Sequence, residues 1–284
     1  MRRDRGGRGM TVTVHPSAVV EPGADLADGV VVGPFCHVQA GARVGARTRL
    51  LSHVSIGPCT TIGEDVVVHP GAVLGGVPQD KTYRGEPTTL TVGNGNVIRE
   101  CVTLNRGTVK GGGRTVVGDR NLLMACSHVG HDCMLGNDLI IANAVLIAGH
   151  VHIGDRAVLA GGVACHHFAR IGRMAYVGGM SRVIHDVPPF TKVAGERVRV
   201  RALNVVGLQR GGVPEAEIEE LRRVYHELFR KQAALAAAVA QVTAPAGSLA
   251  AELAQFVREW VSAPGGRYLE QFRTDRPPAA PRAG

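Results

Sequence analysis

The sequence predicts a mainly β protein: a triangular coil of stacked parallel strands followed by a small α-helical domain. Three observations carry that reading. Val, Ile or Leu recurs at every sixth position over most of Val14–Val183; two breaks in the recurrence are rich in Gly and charge; and beyond Pro188-Pro189 the spacing becomes that of amphipathic helices. Periods of this kind are read before any local element because they decide the architecture.

The first run is Val14, Val20, Leu26, Val32, Val38, Val44, Leu50, Ile56, Ile62, Val68 and Leu74. A second holds Val92, Ile98 and Leu104, and a third steps by sixes from Val117 to Val183, with Cys165 its one non-aliphatic member. A step of six is neither a helical turn nor the alternation of a single strand. It fits a short strand plus a corner, one aliphatic side chain per strand pointing inward. Three steps make a coil of 18 residues, and successive coils pair as parallel strands do, about 4.8 Å apart. The fifth position of each hexad is small or β-branched (Ala18, Ala24, Val30, Cys36, Ala42, Thr48), as a narrow interior requires. Gly33, Gly57, Gly136 and Gly172 directly follow marked residues and are read as freeing the backbone at tight corners. The gap of 18 residues from Leu74 to Val92 equals one coil, so register is expected to survive while Gly75–Thr91 bulge out as a loop. The gap of 13 from Leu104 to Val117 puts a second extruded loop at Lys110-Gly111-Gly112-Gly113-Arg114. Long loops on a rigid scaffold are where function concentrates.

Past the last coil, Pro214 opens a segment with Ile218, Leu221, Val224, Tyr225 and Leu228 on one helical face, continued by Leu235, Val239 and Val242. Ser248 is placed to cap a further helix carrying Leu249, Leu253, Phe256, Val257 and Trp260. The resulting division is a disordered basic leader over residues 1–10, with Met1 or Met10 as initiator, a coil domain over 11–190, a helical domain over 191–273 and a disordered Pro-containing tail over 274–284.

Composition excludes several classes. No run of 18 apolar residues is present, so no helix is expected to cross a membrane. The net charge of +8 owes much to Arg2, Arg3, Arg5 and Arg8 of the leader. With aromatics at only 4% and no basic stripe between them, the charge does not read as a nucleic-acid surface. Arg197, Arg199 and Arg201 form the one dense basic cluster, either a solvated connector or a docking patch for an acidic partner. The six cysteines include no CxxC pair, and Cys36, Cys133 and Cys165 occupy interior slots, which suits a reducing cytoplasm.

Histidines gather in one stretch: His128, His131, His150, His152, His166 and His167. The 18-residue coil places Gly149 one rung from His131, near 5 Å, and His150 in line with Asp132. A histidine, a carboxylate and a glycine-flanked amide are the parts for general-base acyl transfer: imidazole takes a proton from a hydroxyl, and an N–H stabilises the oxyanion. Three rival readings stand beside it: plain surface polarity, a three-histidine metal site, and Cys126 or Cys133 as a covalent nucleophile, the weakest because neither slot favours a thiolate. The metal is disfavoured because His131, His150 and His166 are 19 and 16 residues apart and so occupy different hexad positions.

At these residues the chain resembles a known family. Asn121-Leu122-Leu123-Met124 with His128-Val129-Gly130-His131-Asp132-Cys133, Gln79-Asp80 with Tyr83-Arg84-Gly85-Glu86-Pro87-Thr88, Arg106-Gly107-Thr108, Ala148-Gly149-His150, Val177-Gly178-Gly179 and Asp186-Val187-Pro188-Pro189 are similar to the bacterial UDP-N-acetylglucosamine acyltransferases that begin lipid A biosynthesis. The resemblance implies a left-handed parallel β-helix of hexapeptide repeats and a cytoplasmic homotrimer with active sites between subunits. It also implies transfer of an (R)-3-hydroxyacyl group from acyl carrier protein to the glucosamine 3-hydroxyl of UDP-N-acetylglucosamine. No cofactor of its own is implied, the donor being carried on phosphopantetheine; no nucleic acid and no membrane insertion are implied either. Residue by residue, His131 matches the general base, Asp132 its orienting partner and Gly149 the oxyanion amide. Asp80, His128, His150 and His166 match sugar and nucleotide contacts, with Gln79 in the same loop. Asn204 and Arg210 match positions near the nucleotide and acyl ends, and Gly179 matches an acyl chain-length ruler. The chain departs from the family pattern at Lys81-Thr82, where the usual lysine is displaced by one residue, at Asn105 and at Val206. A related acyltransferase that uses a 3-amino nucleotide sugar or acyl-CoA remains the alternative.

Overall fold

The computed structural model describes residues 11–231 and 233–262. The leader assigned to residues 1–10, the tail over 274–284 and the last residues of the helical domain lie outside the described residues. The chain divides into two compact units, one ending at Cys133 and the other beginning at Met134.

In the first unit, short strands that contain the marked aliphatic residues form three parallel sheets. One face stacks Val14, Val32, Leu50, Val68, Ile98 and Leu123 in register. A second stacks Val20, Val38, Ile56, Leu74, Leu104 and Val129. The third stacks Leu26, Val44, Ile62, Val92 and Val117. Each strand is two to four residues long because the chain must turn a corner every six. Beyond the first coil the inward column is sealed: Val38, Leu50, Ile56, Leu74 and Leu104 are fully buried, as are the fifth-slot residues Val30, Ala42 and Thr48. Burying one such aliphatic side chain stabilises the coil by roughly 1.5–3 kcal/mol.

Two details differ from the sequence reading. Corners are made by the residue three after the marked one, in the left-handed region even without glycine, as at Arg47 (φ 61°), His53 (φ 52°) and Asp65 (φ 55°). The glycines that directly follow marked residues serve close packing instead. A Cβ on Gly33 would lie 1.5 Å from the Leu51 carbonyl oxygen, and one on Gly57 would lie 2.4 Å from that of Gly75. Gly33→Ala is therefore expected to cost about 3 kcal/mol, through forced separation of two coils; a denaturant midpoint equal to wild type would show that the coils can part freely. The register across the first loop also differs. Val92 pairs with Ile62, not Leu74, so the 18-residue gap replaces one ordinary six-residue step. The face order survives because the loop is inserted at a single corner. The second gap does the same: Val117 pairs with Val92, 25 residues away in sequence.

The second unit repeats the plan. Its faces stack Ile141, Leu159, Val177 and Val193; Ile147, Cys165 and Val183; and Leu135, Ile153 and Ile171. Residues 191–203, read from sequence as the start of the helical part, instead form strands Thr191–Ala194 and Arg199–Leu203, paired antiparallel. Among the described residues four helices follow: α1 (Val205–Arg210), α2 (Glu215–Phe229), α3 (Leu235–Gln241) and α4 (Leu249–Ser262). Pro214 precedes α2, and Ile218, Leu221, Val224, Tyr225 and Leu228 are buried as their spacing predicts. The Ser248 hydroxyl accepts from the Ala251 amide at 3.1 Å, the cap expected for α4. Helix α4 is tied to the coil by Arg173–Glu252 and Arg170–Glu259 ion pairs, with the Arg170 guanidinium also 4.8 Å from the Phe256 ring centre.

Candidate active site

The first unit concentrates its chemistry where strand His128–Val129 runs into the next corner. Asp132 occupies that corner at φ 62° and its side chain is wholly buried. Its carboxylate is met by three groups at 2.7 Å: the Thr108 amide on Oδ1, and the Thr108 hydroxyl and His131 Nδ1 on Oδ2. The Asp132 amide in turn donates to the Thr115 hydroxyl at 2.8 Å. A carboxylate can only accept, so the network assigns a proton to Nδ1 of His131, and in the neutral ring the lone pair is then on Nε2. That is the tautomer a general base needs. His131 itself is only 7% exposed, which limits competition from bulk water.

The second inserted loop explains the holding of Asp132. Residues Val109–Gly111 form a 3-10 turn after Thr108, and the amide of Gly113 folds back to the Thr108 carbonyl at 2.8 Å. A Cβ on Gly111 would lie 2.0 Å from the Asp132 carboxylate carbon, so only glycine lets the turn close over it. The same turn carries Lys110, whose ammonium lies 3.9 Å from Asp80 Oδ2. Asp80 is held in its loop by the amide and hydroxyl of Thr82 at 2.7 and 2.8 Å. Those hydrogen bonds, then Lys110 and His131, keep its carboxyl below the usual carboxylate range. The loop is internally braced as well, with the Tyr83 hydroxyl on the Glu86 carbonyl and Arg84 on that of Lys81. Gln79 and Lys81 present exposed side chains.

His128 lies one coil above Thr103, whose hydroxyl is 2.7 Å from Nδ1. Burial first, and the nearby His131 second, push the His128 imidazolium toward its neutral form. Thus Asp80, His128, His131 and Asp132 are gathered in one unit. Thr103 and Thr115 were not singled out from sequence, and Thr108 and Lys110 stood there only within a family motif and an inserted loop, because contacts made through an inserted turn have no periodic signature.

The remaining sequence-derived positions belong to the second unit. Gly149 is buried, and its carbonyl accepts from the Phe168 amide at 3.2 Å. The His150 ring stacks on Phe168 at 4.4 Å and 11°. His166 is exposed, edge-on to His167 at 5.6 Å. Gly179 is exposed, and a Cβ there would sit 3.3 Å from the Gly161 carbonyl. Asn204 and Arg210 line one cleft of about 460 Å³ together with Arg156, Tyr176 and Lys192. Asn204 uses both ends of its amide inside the fold: it accepts from Gly207 at the start of α1 and donates to the Met174 carbonyl at 2.9 Å. Its contribution to the cleft is therefore to fix α1, whose last turn carries Arg210.

Coils of six-residue repeats with a histidine–aspartate dyad at one corner define the class, a hexapeptide-repeat transferase. Residues 41–76 match the profile described as bacterial transferase hexapeptide (six repeats), and residues 186–265 match Udp N-acetylglucosamine O-acyltransferase, domain 2. The chain belongs to the UDP-N-acetylglucosamine O-acyltransferase family. It is 46% identical over 216 residues to the acyl-[acyl-carrier-protein]--UDP-N-acetylglucosamine O-acyltransferase of Rhizobium johnstonii, covering 76% of this chain and 79% of that one. The protein of the same name from an Anaeromyxobacter species is 47% identical over 247 residues, covering 87% and 96%. Among solved structures, the UDP-N-acetylglucosamine acyltransferase of Bacteroides fragilis superposes with a TM-score of 0.83 at 32% identity, covering 87% of this chain and 97% of that one.

Proposed function

We propose that this chain transfers an (R)-3-hydroxyacyl group from acyl carrier protein to the glucosamine 3-hydroxyl of UDP-N-acetylglucosamine, the opening step of lipid A synthesis. The observation that carries it is the Thr108–Asp132–His131 network, which holds the imidazole through Nδ1 on a buried carboxylate. His131 Nε2 takes the proton from the sugar hydroxyl as its oxygen attacks the thioester carbonyl. The tetrahedral oxyanion is met by the Gly149 amide. Collapse breaks the carbon–sulfur bond, and the imidazolium returns the proton to the departing phosphopantetheine thiolate. Asp132 holds the ring and balances its transient positive charge. Asp80, His128, His150 and His166 serve the sugar and nucleotide, with Gln79 in the same loop and the flexible Lys81 stem reaching a phosphate, while Asn204 and Arg210 serve the nucleotide and acyl ends. No resident metal or cofactor enters the reaction. The working form is a homotrimer acting in the cytoplasm; no helix among the described residues is long and apolar enough to cross a membrane.

The test is mass spectrometry of products from UDP-N-acetylglucosamine and a panel of hydroxyacyl carrier proteins. A product heavier by one hydroxyacyl group and cleaved by mild alkali is expected, as an ester requires. Transfer only to a 3-amino nucleotide sugar, or only from acyl-CoA, would overturn the assignment.

Gly179 is the residue proposed to set acyl length. Gly179→Met is expected to shift the preferred donor toward shorter chains by at least tenfold in relative kcat/KM. The contact with the Gly161 carbonyl costs some stability, but a ratio between donors is insensitive to that loss. An unchanged ratio across the panel removes the ruler.

A further inference from the structure

The corner that follows the first face of the first unit carries a column of side chains unrelated to the dyad. Three residues after each marked position come Ser17, Phe35, His53, Gly71, Cys101 and Cys126. Cys101 and Cys126 are free thiols on exposed residues, both in the left-handed corner conformation at φ 56° and 61°. They are neighbours across one coil: Ile98 pairs with Leu123, and the Cys126 amide donates to the carbonyl of Glu100 at 2.9 Å. Side chains in this column lie against one another, as the Phe35 and His53 rings do at 4.9 Å. The spacing can be read one rung below. A Cβ at Gly71 would lie 3.1 Å from Cys101 Sγ and 3.9 Å from its Cα. Stacked corners about 5 Å apart fall inside the roughly 4.4–6.8 Å Cα separation a disulfide bridges. Both residues are exposed, which leaves their side chains room to turn about Cα–Cβ.

We propose that Cys101 and Cys126 form an oxidisable vicinal dithiol that closes into a disulfide stapling two coils of the first unit. With a small disulfide such as oxidised glutathione, one cysteine thiolate attacks a glutathione sulfur, forming a mixed disulfide and releasing one glutathione thiolate. The second cysteine thiolate then attacks the protein sulfur of that mixed disulfide and expels the other glutathione. Two protein thiols are oxidised and one glutathione disulfide is reduced to two glutathione thiols. The bridge closes the loop that contains the Thr108 turn, so it braces the enlarged coil holding Asp132. Cys36 and Cys133 are buried in interior slots, and Cys59 is on a different corner column.

The test treats the full chain with oxidised glutathione, blocks residual thiols with iodoacetamide, and maps peptides before and after reduction. The expected result is a chain lighter by about two hydrogens, with one linked peptide pair joining Cys101 to Cys126. Cys101→Ser and Cys126→Ser should each abolish that pair, and the bridged wild type should melt a few degrees above the reduced form. Two persisting glutathione adducts, unreacted thiols at both positions, or a link found only between two chains would overturn the dithiol. A bridge that leaves Tm unchanged would overturn the staple.

Discussion

His131→Ala is expected to lower kcat by roughly 10²–10⁴, the range a general base supplies, equivalent to about 3–5.5 kcal/mol of barrier. Stability should fall far less. The substitution removes one hydrogen bond from Asp132 but leaves both donors of Thr108 on its carboxylate, so about 1 kcal/mol is expected. The KM for the nucleotide sugar should change little if the ring's main work is in the transition state. Initial rates with matched thermal melts check both halves. A variant within tenfold of the wild-type kcat would remove His131 from the chemistry, whatever its position in the fold.

Much of the architecture was legible because the physical constraint is periodic. An aliphatic side chain must point inward on every rung, so Val32, Leu50 and Leu123 mark the coil without any contact map. What the period does not encode is anything that leaves it. The step from Leu74 to Val92 is as long as a full coil, yet it replaces a single six-residue step, and counting cannot distinguish the two. Strand Thr89–Val92 decides the matter by pairing with Thr60–Ile62. The glycines after marked residues were visible, but their reason was not. Dihedral freedom and absence of a Cβ look identical in one sequence, and the Leu51 carbonyl beside Gly33 decides for the latter. In the site, His131 and Asp132 are adjacent in sequence and easily paired. Thr108, which holds Asp132 from 24 positions away, depends on where an inserted turn folds back. Lys110 is the same case: it reaches Asp80 through that turn while Lys81, next to Asp80 in sequence, faces outward.

Asp132→Asn is the sharper test of that turn, because it changes almost no volume and reverses one end of a hydrogen-bond network. In one amide orientation the new NH₂ replaces Oδ1 and confronts the Thr108 amide, donor against donor in a buried position. In the other it replaces Oδ2; the Thr108 hydroxyl can rotate to accept, but His131 Nδ1 must then accept too. That orientation drives the imidazole proton to Nε2 and removes the lone pair the reaction needs. The protein is thus offered a choice between a structural penalty of about 1–3 kcal/mol and the wrong tautomer. The second is the lower in energy, so the expected result is a folded protein with a modest drop in Tm and a kcat reduced by roughly 10²–10⁴. Thr108→Val separates the roles: it keeps the backbone amide on Oδ1 and loses only the hydroxyl, so the tautomer stands and kcat should fall by no more than about tenfold. Equal losses in Asp132→Asn and Thr108→Val would mean that Asp132 acts through the turn it anchors and not through the ring it orients.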